Sequence, residues 1–224
     1  MRKVVSIAIL LLLCILLALW SPWLYIKIDL GALFGVQRPE DISGLQVYSQ
    51  SGELEVYLDG ELRGTATVEK PYILDVVTPG EHLVSLKRVS EVPNSFWSFS
   101  KLVEFEMGTS VVVSYNLGPE EEFSEGHIIY ATEKGEQRPS KLNIEISTSD
   151  ASVRIDNSAV QQINENTFVS DISLDSQKRV SISKRGYEDL EFTILPDNQE
   201  DRDRLKNFDL NIEVHLMLQP VEVE

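Results

Sequence analysis

The sequence of 224 residues predicts an all-β protein: two small antiparallel β domains carried behind one N-terminal transmembrane helix. Three observations predict it. From Leu45 onward apolar and polar residues alternate with the two-residue period of half-buried strands. Turn dipeptides separate these runs, and no strong helix pattern interrupts them. The uncharged apolar residues gather at one end, in "VVSIAILLLLCILLALW" from Val4 to Trp20.

Residues 1–3 read as a cytoplasmic tail and residues 4–26 as the membrane span. A helix over 4–26 reaches roughly 35 Å, enough for a hydrocarbon core of about 30 Å. A cleaved secretory signal needs a small-x-small site after a shorter core. Here Leu17, Ala18, Leu19 and Trp20 close the run, so an uncleaved anchor is expected. Trp20, Trp23 and Tyr25 fit the headgroup level of the bilayer, where amphipathic rings gather. Arg2 and Lys3 hold the N-terminus in the cytoplasm, which places the rest of the chain outside.

That exterior part is strongly acidic. With Arg2 and Lys3 set aside, 18 basic residues face 36 acidic ones, a net charge of −18. Such a field repels nucleic acid and anionic headgroups, so nucleic-acid binding is excluded from the expected functions. Cys14, the only cysteine, lies within the span, so the exterior can form no internal disulfide. No Asn-x-Ser/Thr sequon occurs either, and both features point to a prokaryotic surface protein in the cell membrane.

Residues 27–43 form a juxtamembrane linker that ends in Arg38, Pro39, Glu40 and Asp41. The first β domain spans 44–119. Leu45, Val47 and Ser49 alternate with Gln46 and Tyr48, and Leu54, Val56 and Leu58 alternate with Glu53, Glu55 and Tyr57. Asp59 and Gly60 supply the positive φ angles of a tight hairpin turn. "PYILDVV", "EHLVSLKRV", "KLVEFEM" and "TSVVVSYNL" are further strands, with Thr78, Pro79 and Gly80 turning the chain into the second of these.

A second β domain, at 141–220, repeats the first. Leu142, Ile144, Val153, Ile155 and Asp156 reproduce Leu45, Val47, Val56, Leu58 and Asp59 at a constant offset of 97. Asn157 stands where Gly60 stood, and Asn is the residue after Gly that best tolerates a left-handed turn position. "VSISKR" echoes "VSLKR", and "LEF" echoes "LVEF". Residues 120–140 form an acidic linker, with Glu120, Glu121 and Glu122 solvated and "HIIYAT" a candidate strand for either domain or for another chain. Residues 221–224 are a short tail.

The stretch from Gly44 to Arg88 resembles a PEGA domain. Val56, Tyr57, Leu58, Asp59 and Gly60, then Gly64 and Thr65, then Pro79, Gly80, Glu81 and His82 carry the match, in the order of that motif. In the second copy Leu174, Asp175, Ser176 and Gln177 replace the Pro-Gly-Glu-His turn, while "SKRGY" restores the typical ending. The resemblance implies a small antiparallel sandwich, similar to carboxypeptidase-regulatory-like modules, with a binding or structural role on prokaryotic envelopes and no catalysis. Glu81 and His82 are then turn-shaping residues, and Asp156 and Asn157 are the structural counterparts of Asp59 and Gly60 at the second hairpin.

No constellation for chemistry appears. His82, His127 and His215 lack metal-ligand spacing and read as surface or strand histidines. The pairs Ser98 with Lys101 and Ser181 with Lys184 match a nucleophile-base motif only where strand alternation sets the two side chains on opposite faces. The acids of 196–209 lack the glycine of a calcium loop and have Arg202 and Arg204 among them, so a solvated loop is expected. Phe96, Trp97 and Phe99 have no counterpart in the second copy. They are candidates either for a partner-binding surface or for the core of the first domain. The expected function is non-catalytic, with no cofactor: an envelope protein that binds a protein or glycan partner, or an accessory or sensor subunit of a membrane complex.

Overall fold

The computed structural model describes residues 42–135 and 138–219. The predicted anchor at 4–26, its interfacial Trp20, Trp23 and Tyr25, and the tail at 221–224 lie outside the described residues. No helix among the described residues is long and apolar enough to cross a membrane.

The first repeat folds as β1 (Ser43–Ser49), β2 (Glu53–Leu58), β3 (Glu61–Thr67), β4 (Tyr72–Val77), β5 (Gly80–Arg88), β6 (Phe99–Phe105) and β7 (Ser110–Asn116). β8 (Glu125–Glu133) follows. The second repeat comprises β9 (Lys141–Ile146), β10 (Ser152–Ile155), β11 (Ser158–Ala159), β12 (Gln161–Gln162), β13 (Thr167–Asp171), β14 (Lys178–Ser183), β15 (Leu190–Ile194), α1 (Gln199–Arg204) and β16 (Phe208–His215). The fold is all-β, and α1 is the single α-helix among the described residues.

Each repeat is built around the same hairpin. Asp59 and Gly60 sit at φ 54° and 81°, and Asp156 and Asn157 at 47° and 69°, so both turns place two left-handed residues between their strands. The turn carboxylates then bind the next strand. Asp59 Oδ1 accepts the Leu83 N–H at 2.9 Å, and Asp156 Oδ1 accepts the Arg179 N–H at 2.9 Å. Register is conserved between the repeats, with Leu58 opposite Val84 and Ile155 opposite Val180. These pairings give two four-stranded sheets, β3-β2-β5-β6 and β11-β10-β14-β15.

All remaining strands join one eight-stranded sheet in the order β12-β13-β9-β16-β8-β7-β1-β4. The segment between the repeats thus contributes β8, which pairs antiparallel with β7 on one side and with β16 on the other. β7 and β16 therefore run in the same direction, each with its own repeat's first strand parallel on its far side.

This arrangement puts the two hydrophobic cores on opposite faces of the long sheet. Alternate residues of a strand point to opposite faces. Ile128 of β8 packs into the first core with Leu45, Val113, Leu86 and Phe105, while Ala131 packs into the second with Leu142, Ile212, Ile182 and Ile194. Each four-stranded sheet covers only its own half of the long sheet, on its own side.

The stretch 196–209, expected as a solvated loop, contains α1. Asn198 caps the helix by accepting the Asp201 N–H at 2.8 Å, which meets one of the donors left free at any helix start. Arg202 turns inward and donates to the Pro196 and Asp197 carbonyls at 2.7 and 2.5 Å. In the first repeat the corresponding connection, β6 to β7, is a tight turn through Gly108 at φ 75°.

Candidate functional site

The residues singled out by the sequence divide into three groups. His82 closes the first hairpin: its Nε2–H donates to the Thr78 carbonyl at 2.8 Å, and Nδ1 lies 2.6 Å from Asp59 Oδ2. Partial burial alone lowers the imidazole pKa, but the bonds to the Asp59 carboxylate and the Thr78 carbonyl outweigh it and leave a net rise. The same hydrogen bond, with that from Leu83, holds the Asp59 carboxyl below its ordinary range. The second repeat solves the same problem with Lys178, whose Nζ lies 3.5 Å from Asp156 and 3.1 Å from Asp175. Pro79 and Gly80, the latter at φ 125°, turn the chain into β5, where Glu81 stands exposed opposite Glu104.

The aromatic trio belongs largely to the first core. Phe99 is buried, with its ring 4.4 Å from that of Tyr115. Trp97 is half-buried against the same core and stacks on His215 of β16 at 5.7 Å. Phe96 carries the Arg88 guanidinium over its ring at 4.4 Å. The serine-lysine pairs are engaged elsewhere as well. Lys101 reaches Glu213 at 2.6 Å and Ser181 donates to Glu191 at 3.1 Å.

A concave feature lies where one four-stranded sheet ends. β15 is the last strand of its sheet and sits over β8, as the stacking of Phe192 on His127 at 3.9 Å shows. Beyond β15 the long sheet continues uncovered, and a groove of about 570 Å³ follows the step. Its floor is formed by Gln46 and Tyr48 of β1 and by Val112 and Ser114 of β7. Thr193 to Pro196 form its wall, and Arg204 and Leu205 close one end. Tyr48 is 40% exposed there. The floor side chains carry no charge, and the Asp201 and Arg204 of the end wall pair with each other at 3.5 Å.

His127, read from the sequence as a surface or strand histidine, lies in β8 and also lines this groove. It is only 6% exposed, and its Nδ1 has no hydrogen-bond partner. Burial pushes its pKa down to about 4, so the imidazole is neutral at physiological pH and one of its ring nitrogens is an acceptor. A signal for this existed: Ile128 and Ile129 are adjacent apolar residues, as befits a strand buried on both faces, and such a strand carries His127 inward. Among the described residues no three His, Cys, Asp or Glu side chains converge as metal ligands.

Comparison with protein-family models and with curated proteins gives no match to this chain.

Proposed function

We propose that the chain is a non-catalytic binding protein of the prokaryotic cell envelope, tethered by one helix at 4–26 and presenting two joined β-sandwiches outside the membrane. The groove beside β15 carries this reading. An uncharged sheet face flanked by an open strand edge, in a molecule of net charge −16, is suited to holding a partner. The likeness to PEGA domains supports it from the sequence side, because the motif residues Asp59 and His82 bond to each other, Asp59 also binds the strand that follows, and Gly60 supplies a left-handed turn position. They shape a turn, and no substrate group is needed to explain them.

Two measurements on intact cells test the reading. Protease added outside should digest the β region and leave a short membrane-embedded fragment; a mature chain that begins beyond Trp23 without lipid would remove the tether. Crosslinking followed by purification should recover an envelope partner from wild type and lose it with Val112→Arg, which places a charge on the groove floor. Recovery of other membrane subunits that is indifferent to Val112→Arg would favour an accessory subunit of a membrane complex instead.

A further inference from the structure

The geometry points to a specific occupant: an extended peptide segment that pairs with the free edge of β15 and lies across β7 and β1. This inference rests on the binding role proposed above and names the partner's chemistry at the same groove.

The first support is the strand edge. β15 pairs with β14 on one side only, so alternate backbone N–H and C=O groups along its other side are left unpaired, and its end at Thr193 and Ile194 lines the groove. An exposed edge is a template for one more strand, and backbone hydrogen bonds then supply affinity whatever the side chains are. With five residues in β15, at about 3.3 Å per residue, the edge offers roughly 17 Å to pair with. Leu195, at φ 73°, turns the chain sharply away at the end of the strand, so residues 195–205 wall the groove without continuing the sheet across it.

The second support is the contrast with the equivalent place in the other repeat. β6 is the counterpart of β15 and likewise ends its sheet over β8, facing β16 and β9. There the protein uses its own side chains. Lys101 crosses to Glu213, Tyr130 donates to the same carboxylate at 3.1 Å, and Trp97 covers His215. On the open side of β15 no such crossing contact occurs among the described residues, and the floor is neutral.

His127 supplies the third. Its ring is fixed by Phe192, with Ser114 and Val214 opposite it on the neighbouring strands, and its Nδ1 lacks a partner. A buried polar atom without a hydrogen bond is destabilising, and a Ser, Thr or Asn side chain of a bound strand, able to donate or accept, would supply the missing partner. The peptide expected is therefore uncharged, rich in β-branched residues that suit Val112 and Ile129, with one hydroxyl or amide residue at the edge of the His127 ring, whose face Phe192 covers. The hydroxyls of a glycan would meet the imidazole but do not repeat at the strand spacing, so they match the alternating backbone groups of β15 less well than a peptide does.

The test uses the full chain in detergent micelles. Heptapeptides selected from a random displayed library are synthesised, and their binding is measured by fluorescence polarisation alongside a panel of neutral oligosaccharides. Selected peptides should bind wild type and lose at least about tenfold in affinity with Val112→Arg. N-methylation of alternate peptide nitrogens should abolish binding in one of its two phases, because a strand pairs through every second residue. His127→Phe, which keeps an aromatic ring against Phe192, should weaken peptides bearing a hydroxyl or amide by about tenfold and leave all-aliphatic ones unchanged. Peptides indifferent to N-methylation in both phases would overturn the strand pairing. Oligosaccharides that bind in a Val112→Arg-sensitive way, with no peptide doing so, would overturn the peptide and leave the binding role standing. A groove that takes neither probe would also overturn it, and the crosslinking result then decides the binding role separately.

Discussion

Gly126 sets how closely β7 and β8 approach. A Cβ there would lie 2.3 Å from the Ser114 carbonyl and 2.5 Å from the Tyr115 ring, and the first of these is backbone in the middle of a ladder. Gly126→Ala should therefore cost about 1–3 kcal/mol, read as a lowered melting temperature, whereas Gly135→Ala, with open space around it, should stay within about 0.5 kcal/mol of wild type. The hairpin pair of Asp59 and His82 gives a second residue-scale prediction. Because the folded pKa of His82 is raised, its contribution to stability is whole below the unfolded value of 6.5 and fades as pH rises through the folded one. His82→Lys, which borrows the cation that Lys178 supplies in the second repeat, should remove that fade. The difference in urea midpoint should move in the variant's favour as pH rises above 6.5.

β8 is the element on which the two repeats depend, since its alternate side chains enter different cores. His127 is its one titratable buried group, and its pH sign is opposite to that of His82. The folded imidazole resists protonation, so the unfolded chain takes up a proton first and wild type loses stability as pH falls from 6.5 toward about 4. The loss by pH 4 is on the order of 3 kcal/mol. His127→Phe should flatten that acid limb in urea titrations; an unchanged limb would mean that the His127 imidazole is solvated or bonded to an acceptor in the folded protein.

For the whole molecule, a shared strand means shared cooperativity. Calorimetry of the full chain in micelles should show one transition for both sandwiches. Ile128→Ala, in the first core, should lower that single transition by about 2–5 kcal/mol rather than split it. Two resolved transitions, with only one moved, would show that the ladder between β8 and its neighbours does not couple the halves. The acidic surface acts at the same scale. Its self-repulsion should make the midpoint rise with added salt up to about 0.2 M, where the screening length has fallen to several ångströms.

The information legible in the residues alone is local. The two-residue alternation tells which side chains share a face, and Asp59-Gly60 and Asp156-Asn157 force tight hairpins because few residues accept two consecutive left-handed conformations. The offset of 97 makes the second repeat legible even where its turn chemistry differs. Which strands become neighbours is not written in alternation, since any face-matched pair satisfies it. The parallel pairing of β1 with β7, the claim of both repeats on β8 and the opposed cores were settled only when distant segments competed for the same ladder partners. The groove follows from that outcome: the sheet that ends in β15 is narrower than the one it covers, and the uncovered floor and the unpaired nitrogen of His127 exist only once the two are packed.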